Sequence, residues 1–189
     1  MSRSPGSARP PRLVTERLVL RELRPGDAEA VATGAGDRRV ARFLIQVPSP
    51  YPVSLARRWV LHRIEWWELR RGVTFAVTQQ GGSDRLIGTV SLRCYLRDQR
   101  AELGYWLAAP AWGHGYATEA ARAAVAFGFR DLGLARIYAQ VLADNRASLA
   151  VVDKLGMVNE GVKRQHVNKA RRLHDVVLYG LLRDEWLRR

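Results

Sequence analysis

At 189 residues, 47% of them hydrophobic, the chain has the length of one domain and can bury about 70% of the surface its unfolded form exposes, so it needs no covalent staple. One cysteine, Cys94, excludes an internal disulfide, and histidines at 62, 114, 166 and 174 have no metal-ligand spacing, which predicts a metal-free protein of a reducing cytoplasm. The 31 Lys and Arg against 18 Asp and Glu give a formal charge of +13, a field that draws in polyanions and disfavours polycationic ligands.

Residues 1–12 are rich in Ser, Pro and Arg and lack the hydrophobic segment of a secretory signal, and no later apolar run is long enough to span a membrane. They read as a disordered tail ahead of one domain at 13–189. Leu18 to Leu23 alternates as a strand, and a helix follows from Pro25 or Asp27 to Gly34 with acidic residues at its start. Pro48, Pro50 and Pro52 interrupt regular structure until Ser54, read as the cap of a helix that runs to Arg71 and stops at Gly72. Trp59, Trp66 and Trp67 on this helix cannot all share one face with Ile64, so at least one Trp should be exposed or line a groove. Strands are predicted at 73–78 and 85–92 around Gln80-Gly81-Gly82-Ser83, and Cys94 beyond them reads as a buried small hydrophobe. A strand at 101–107, a helix through 121–132, a strand at 136–141, a helix at 149–155 ended by Gly156, and strands near 158–168 and 173–182 complete the order. There is no internal repeat or interdomain linker.

Between the 101–107 strand and the next helix lies Trp112-Gly113-His114-Gly115-Tyr116-Ala117-Thr118-Glu119. A strand, a glycine-rich turn and a helix N-terminus together aim free backbone N–H groups and the positive helix end at an anion. Gly113 and Gly115 let the main chain approach a ligand or take positive φ. A tight turn before an unoccupied helix end is the other reading. A Walker loop would close on Gly-Lys-Ser/Thr, and a dinucleotide fingerprint would place a third glycine where Thr118 stands; neither fits.

The same segment resembles the acyl-CoA-binding loop of the GNAT superfamily of N-acetyltransferases, Gln/Arg-x-x-Gly-x-Gly/Ala, with Trp112, Gly115 and Ala117 at its fixed positions and Trp112 in place of the Gln or Arg. Asp144-Asn145-Arg146-Ala147-Ser148, then Leu155 to Gly161, then His174 to Leu182, together with Thr15 to Leu23 and Pro25-Gly26-Asp27, resemble the RimJ/RimL branch, which acetylates N-termini of ribosomal proteins and relatives. The resemblance runs from about Leu13 to the C-terminus. It implies a mixed α/β fold: a mostly antiparallel central sheet of about seven strands, splayed between its fourth (Glu102) and fifth (Tyr138) strands, with helices on both faces. It also implies acetyl-CoA, or another acyl-CoA, as co-substrate, with the pantetheine arm in the splay against backbone groups of Trp106 and Leu107. Trp112, Gly113, His114, Gly115, Tyr116, Ala117 and Thr118 would meet the pyrophosphate, and Asn145 and Ser148 the pantetheine amide and sulfur.

The implied chemistry is attack of an amine on a thioester, which needs a neutral amine, a stabilised oxyanion and a leaving thiolate. Glu102 matches a Glu found at this place in many relatives and is the candidate base; a surface carboxylate paired with Arg100 or Arg93 is the competing reading. Ser148, in the Asn145-x-x-Ser148 motif, is the candidate donor to the thiolate. Asn145 is equally natural as the cap of the helix that follows, Tyr105 and Trp106 read as core filling with backbone roles only, and His114 as simply exposed.

The acceptor is expected to be a protein or peptide N-terminus. A small amine, such as an aminoglycoside or polyamine, is a second reading, and a non-catalytic CoA-sensing or ribosome-binding protein a third. Asp175, Glu65 and Glu68 are candidates to bind a cationic amine. Arginine pairs such as Arg57-Arg58 and Arg171-Arg172 suit nonspecific phosphate contact and ribosome association, although arginine richness also follows from genome composition. No sequence-specific nucleic-acid module and no membrane partner is indicated, and the resemblance allows a homodimer.

Overall fold

The computed structural model describes residues 9–48 and 50–188. Most of the predicted tail, residues 1–8, lies outside the described residues; Arg9, at its inner end, reaches Glu22 (3.4 Å). The elements in chain order are β1 (Leu13–Val14), β2 (Leu18–Glu22), α1 (Ala28–Gly36), α2 (Arg38–Ala41), α3 (Val53–Glu68), β3 (Gly72–Gln79), β4 (Gly88–Tyr95) and β5 (Arg100–Leu107). The second half runs α4 (Tyr116–Arg130), β6 (Arg136–Leu142), α5 (Arg146–Lys154), β7 (Val158–Lys169), β8 (Arg172–Leu182) and α6 (Arg183–Leu187).

All eight strands form one sheet in the order β1-β2-β3-β4-β5-β6-β8-β7, antiparallel except between β5 and β6. The strand beyond the predicted seven is the two-residue β1, which pairs with β2 through Leu13 and Val14. Helices α2 and α6 were not expected, since four or five residues are too few to show a helical period. Ser54 does not cap α3: Pro52 takes the extended cap position, Val53 opens the helix, and the helix ends at Glu68. Gly72 is therefore not a helix stop but the first residue of β3, at φ 145°, where a Cβ would lie 2.1 Å from the Leu92 carbonyl oxygen.

Alternation along the strands gives the sheet two covered faces. Phe75, Leu92, Ala101, Leu103 and Ile137 pack on one face against Ala121, Ala124 and Phe127 of α4. On the other, Ala76 and the partly buried Trp106 pack against Val31 of α1 and Ala56 and Val60 of α3.

The Pro25-Gly26-Asp27 segment does its work through a buried ion pair. Arg21, 6% exposed, donates from both terminal nitrogens to Asp27 (2.8 Å each) and from Nε to Asp84 (2.9 Å), while Asp27 also accepts the Arg24 amide (2.8 Å). This knot ties β2 to the start of α1 and to the loop before β4. Hydrogen bonding to Asp27 is the main reason the Arg21 pKa is raised.

The feature that positions the site is the seam between β5 and β6. These strands pair only at Arg100–Glu102 with Arg136–Tyr138. Beyond Glu102, β5 stays bonded to β4 as far as Leu107, and β6 stays bonded to β8 as far as Leu142. Each strand follows its own neighbour, and the two halves of the sheet part in a V.

Candidate active site

A cleft of about 960 Å³ runs through the V, between the loop before α4 and the α1–α3 side of the sheet. Its phase is set by the Ala108 amide, which donates to Ile87 (2.8 Å). Given the β4–β5 register, Glu102, Gly104 and Trp106 spend their backbone groups on β4, and Leu103, Tyr105 and Leu107 turn theirs toward the opening. Of the two residues expected to meet a pantetheine arm through the main chain, Leu107 turns its amide to the opening, its carbonyl being taken by the Trp112 indole, and Trp106 turns neither group there. The Trp106 side chain instead wedges against α1, where a Cβ on Gly34 would lie 2.8 Å from its ring.

At the open end of the V, Gly113 and Gly115 take φ of 80° and 77°, and Gly115 caps α4 in the left-handed region. The Glu119 amide is the first of α4 to be bonded, to the Gly115 carbonyl (3.1 Å). The amides of residues 113–118 thus have no acceptor among the described residues, which is the cradle an anionic phosphate fits. Tyr116, Ala117 and Thr118 line the cleft. His114 is exposed, with its ring stacked on Tyr116 (5.3 Å). Trp112 donates its indole N–H to the Leu107 carbonyl (2.8 Å), so its side chain fixes the strand end instead of offering a charge to phosphate.

A cation that the sequence does not single out stands beside this turn. Arg17, in the loop before β2, donates to Glu119 Oε2 (2.8 Å from Nε) and to the His114 carbonyl (3.0 Å), and its Nη2 lies 3.6 Å from where a Cβ on Gly115 would stand. Thr15 and the Arg17 amide hold Glu119 Oε1 (2.6 and 2.9 Å). Burial raises the Glu119 pKa, but the bonds from Thr15 and Arg17 outweigh it and leave the carboxyl below its ordinary value. The Thr15-Glu16-Arg17 motif therefore clasps the first turn of α4.

At the closed end, Glu102 accepts from Gln140 Nε2 (3.1 Å), and Gln140 Oε1 accepts from Lys163 (3.1 Å). Neither predicted ion pair forms: Arg100 goes to Asp98 (3.0 Å), and Arg93 lies over the Trp66 and Tyr95 rings. Across the V, Asn145 accepts the Ser148 amide (3.2 Å) and so caps α5, while Ser148 Oγ lies 2.8 Å from the Tyr105 hydroxyl. Tyr105 also donates to the Ser148 carbonyl (3.1 Å). Its side chain thus lines the cleft beside Ser148 and does not only fill the core. Burial pushes its pKa up to about 12, partly opposed by the Ser148 hydrogen bond, so it stays a donor at neutral pH.

Trp59 and Trp66 line the cleft from α3, whereas Trp67 turns to Phe127 (6.4 Å), which separates the three as their spacing demands. Asp175 is occupied by the Gln165 amide (2.7 Å), and neither it, Glu65 nor Glu68 lines the cleft. Cys94 is partly buried, its thiol pushed up to about 11 by burial, consistent with a packing role. Among the described residues no cluster of His, Cys, Asp and Glu could hold a metal, and no helix is long and apolar enough to cross a membrane.

Comparison with known proteins agrees with this geometry. Residues 17–158 match the family model described as the Acetyltransferase (GNAT) domain. YoaA of Bacillus subtilis (strain 168), an uncharacterized N-acetyltransferase, is 30% identical over 174 residues, covering 92% of this chain and 97% of its own. A GNAT-family acetyltransferase from Bacillus anthracis superposes with a TM-score of 0.82 at 26% identity, over 93% of this chain and 100% of that one. RimL, the ribosomal L7/L12 α-N-protein acetyltransferase solved in complex with coenzyme A, shares the fold with a TM-score of 0.81 at 20% identity, over 92% and 98%. With its splayed sheet, its amide cradle and a family match across most of its length, the chain belongs to the GNAT family of N-acetyltransferases.

Proposed function

We propose that this enzyme moves an acetyl group from acetyl-CoA to the α-amine of a protein or peptide N-terminus of the Ser or Ala type, by direct attack in a ternary complex. The observation that carries the reading is the arrangement about one V: an amide cradle at its mouth, the Tyr105–Ser148 hydroxyl pair on one wall and the Glu102 carboxylate at its closed end, all lining one cleft. The CoA pyrophosphate lies on the amides of residues 113–118 with Arg17 supplying positive charge, and the arm follows the backbone of Leu107, Tyr105 and Leu103. An N-terminal ammonium has a pKa of about 8, so Glu102, directly or through one water, takes its proton. The amine nitrogen attacks the thioester carbon, the C–S bond breaks, and the thiolate is met by the Ser148 hydroxyl, which Tyr105 supports.

The peptide α-amine is favoured over a polycation by the side chains around the cleft: Arg42, Arg63, Arg93, Arg146 and Lys154 outnumber the carboxylates Glu102 and Asp144. RimL, which shares the fold, acts on a ribosomal protein α-amine. With a net charge of +13, the enzyme would meet such acceptors on or near ribosomal RNA in the cytoplasm. Thiol release from acetyl-CoA, measured with Ser-, Ala- and Thr-initiated peptides beside aminoglycosides and polyamines, tests the reading. Peptide-dependent release is expected; release with small amines alone, or CoA binding with no release, would overturn it.

Tyr105→Phe removes the hydroxyl that supports Ser148 and is expected to lower kcat about 10-fold with little change in the KM for acetyl-CoA. Because the Tyr105 pKa is pushed up to about 12, the proton it donates is present throughout the working range. In the native enzyme, where Glu102 takes the amine proton, kcat should therefore show no descending limb up to about pH 10. A descending limb near pH 8–9 that vanishes in Tyr105→Phe would show that the hydroxyl titrates far lower than its burial implies.

A further inference from the structure

Several arginines meet carboxylates: Arg17 with Glu119, Arg21 with Asp27, Arg24 with Asp84, Arg100 with Asp98, Arg136 with Glu160. Arg63 does not. It lies on α3 over the Trp66 ring, 3.6 Å from the centroid, with Trp59 at 5.3 Å. Its Nε and Nη1 are buried and have no hydrogen-bond partner among the described residues, and the side chain lines the cleft. Burial lowers its pKa to about 10 and nearby Arg93 adds to the effect, against the opposing pull of Glu102 and Tyr51, so the group is cationic at neutral pH. Two guanidiniums thus stand near the candidate base, and among the described residues no carboxylate forms an ion pair with Arg63. Buried donors of this kind are normally satisfied, and an unsatisfied one that borders a cleft is explained by a ligand that bonds to it.

The position of these groups says which ligand. The acyl donor enters from the Leu107–Gly115 end of the V. Arg93 is opposite Glu102 in the β4–β5 register, at the closed end, on the face that α3 covers. Between Glu102 and Trp106 on that face is Gly104, where an added Cβ would meet only Ser91 Oγ (3.2 Å) within 4 Å, leaving room beside the base. Groups on the α3 side of Glu102 therefore face the acceptor.

We propose that Arg63, assisted by Arg93, binds a carboxylate of the acceptor while its amine sits at Glu102, so that the preferred acceptor is a peptide with an acidic side chain at its second residue. This rests on the peptide reading above. The full-length enzyme is assayed with acetyl-CoA and Ser-initiated peptides differing only at the second residue, Asp, Asn or Lys. The kcat/KM for the Asp peptide is expected to exceed that for the Asn peptide about 10- to 100-fold, the range of a charge-assisted hydrogen bond to a buried group, with the Lys peptide below both. Arg63→Met should bring the Asp and Asn peptides together and Arg63→Lys should keep part of the preference, with acetyl-CoA affinity confirming that both variants fold.

Equal use of the Asp and Asn peptides by the native enzyme would overturn the proposal while the peptide reading stands. Acetylation of free amino acids but not of their amides or of any peptide, lost in Arg63→Met, would support the carboxylate subsite while the peptide reading falls. If Arg63→Met alters only the use of succinyl-CoA and leaves the peptide ratio untouched, the carboxylate belongs to the donor and the proposal is wrong.

Discussion

Asp27→Ala is expected to destabilise the fold by about 3–5 kcal/mol, because it strands the 6%-exposed Arg21 guanidinium and releases the Arg24 amide. For a chain of this length that corresponds to a Tm lower by roughly 6–20 °C. Asp84→Ala supplies the contrast. Asp84 binds the same arginine, but its own side chain is 58% exposed and screened by water, so its loss should cost less than about 1 kcal/mol. Urea denaturation of the two variants separates the cases, and equal destabilisation would mean that the Arg21–Asp27 contact is not the structural tie between β2 and α1.

Glu102→Gln is the largest expected effect on activity. The amide keeps an oxygen that can accept from Gln140 and nearly the same shape, but it cannot take a proton. Loss of a positioned base lowers kcat/KM by about 10²- to 10⁴-fold, and the affinity for acetyl-CoA should be unchanged because the cradle lies at the other end of β5. The deficit has a definite pH dependence. Below the amine pKa of about 8 the variant must wait for the rare neutral amine, whereas above it solvent has already removed the proton. The ratio of native to variant rates should therefore shrink as pH rises from about 7 to 10. A constant ratio across that range would assign Glu102 to positioning instead of proton transfer.

What was legible in the chain is what depends on near neighbours. The two glycines before α4, the alternation of β5 and the Asn145 cap of α5 are local patterns, and each appears where predicted. The splay between β5 and β6 came from family resemblance, since no residue in either strand encodes it; it arises because each strand is bonded to a different half of the sheet. Boundaries failed where two plausible signals competed, as at Ser54, where the extended Pro52 holds the cap position and leaves Val53 to open the helix.

The residues around the cleft that the sequence did not single out share one property, which is that their partners are far away in sequence. Arg17 meets Glu119 across 102 positions and Tyr105 meets Ser148 across 43. Trp112 was expected at the phosphate because its place in the motif is held by Gln or Arg in relatives, but an indole donates once, and here its N–H goes to the Leu107 carbonyl. The placement of Arg63 had no sequence signal at all, because an arginine on a helix is ordinarily solvated. Only the packing of α3 on β3, with the Trp66 and Trp59 rings beside it, turns it inward.

The proposed reaction carries the acetyl group of acetyl-CoA to a peptide α-amine. The most direct test is to incubate the enzyme with acetyl-CoA and a Ser- or Ala-initiated peptide containing an internal lysine, then locate the acetyl group by tandem mass spectrometry. Modification of the α-nitrogen alone is expected, with none on an N-terminally blocked peptide. Acetylation of the lysine, or equal thiol release with the blocked peptide, would contradict it.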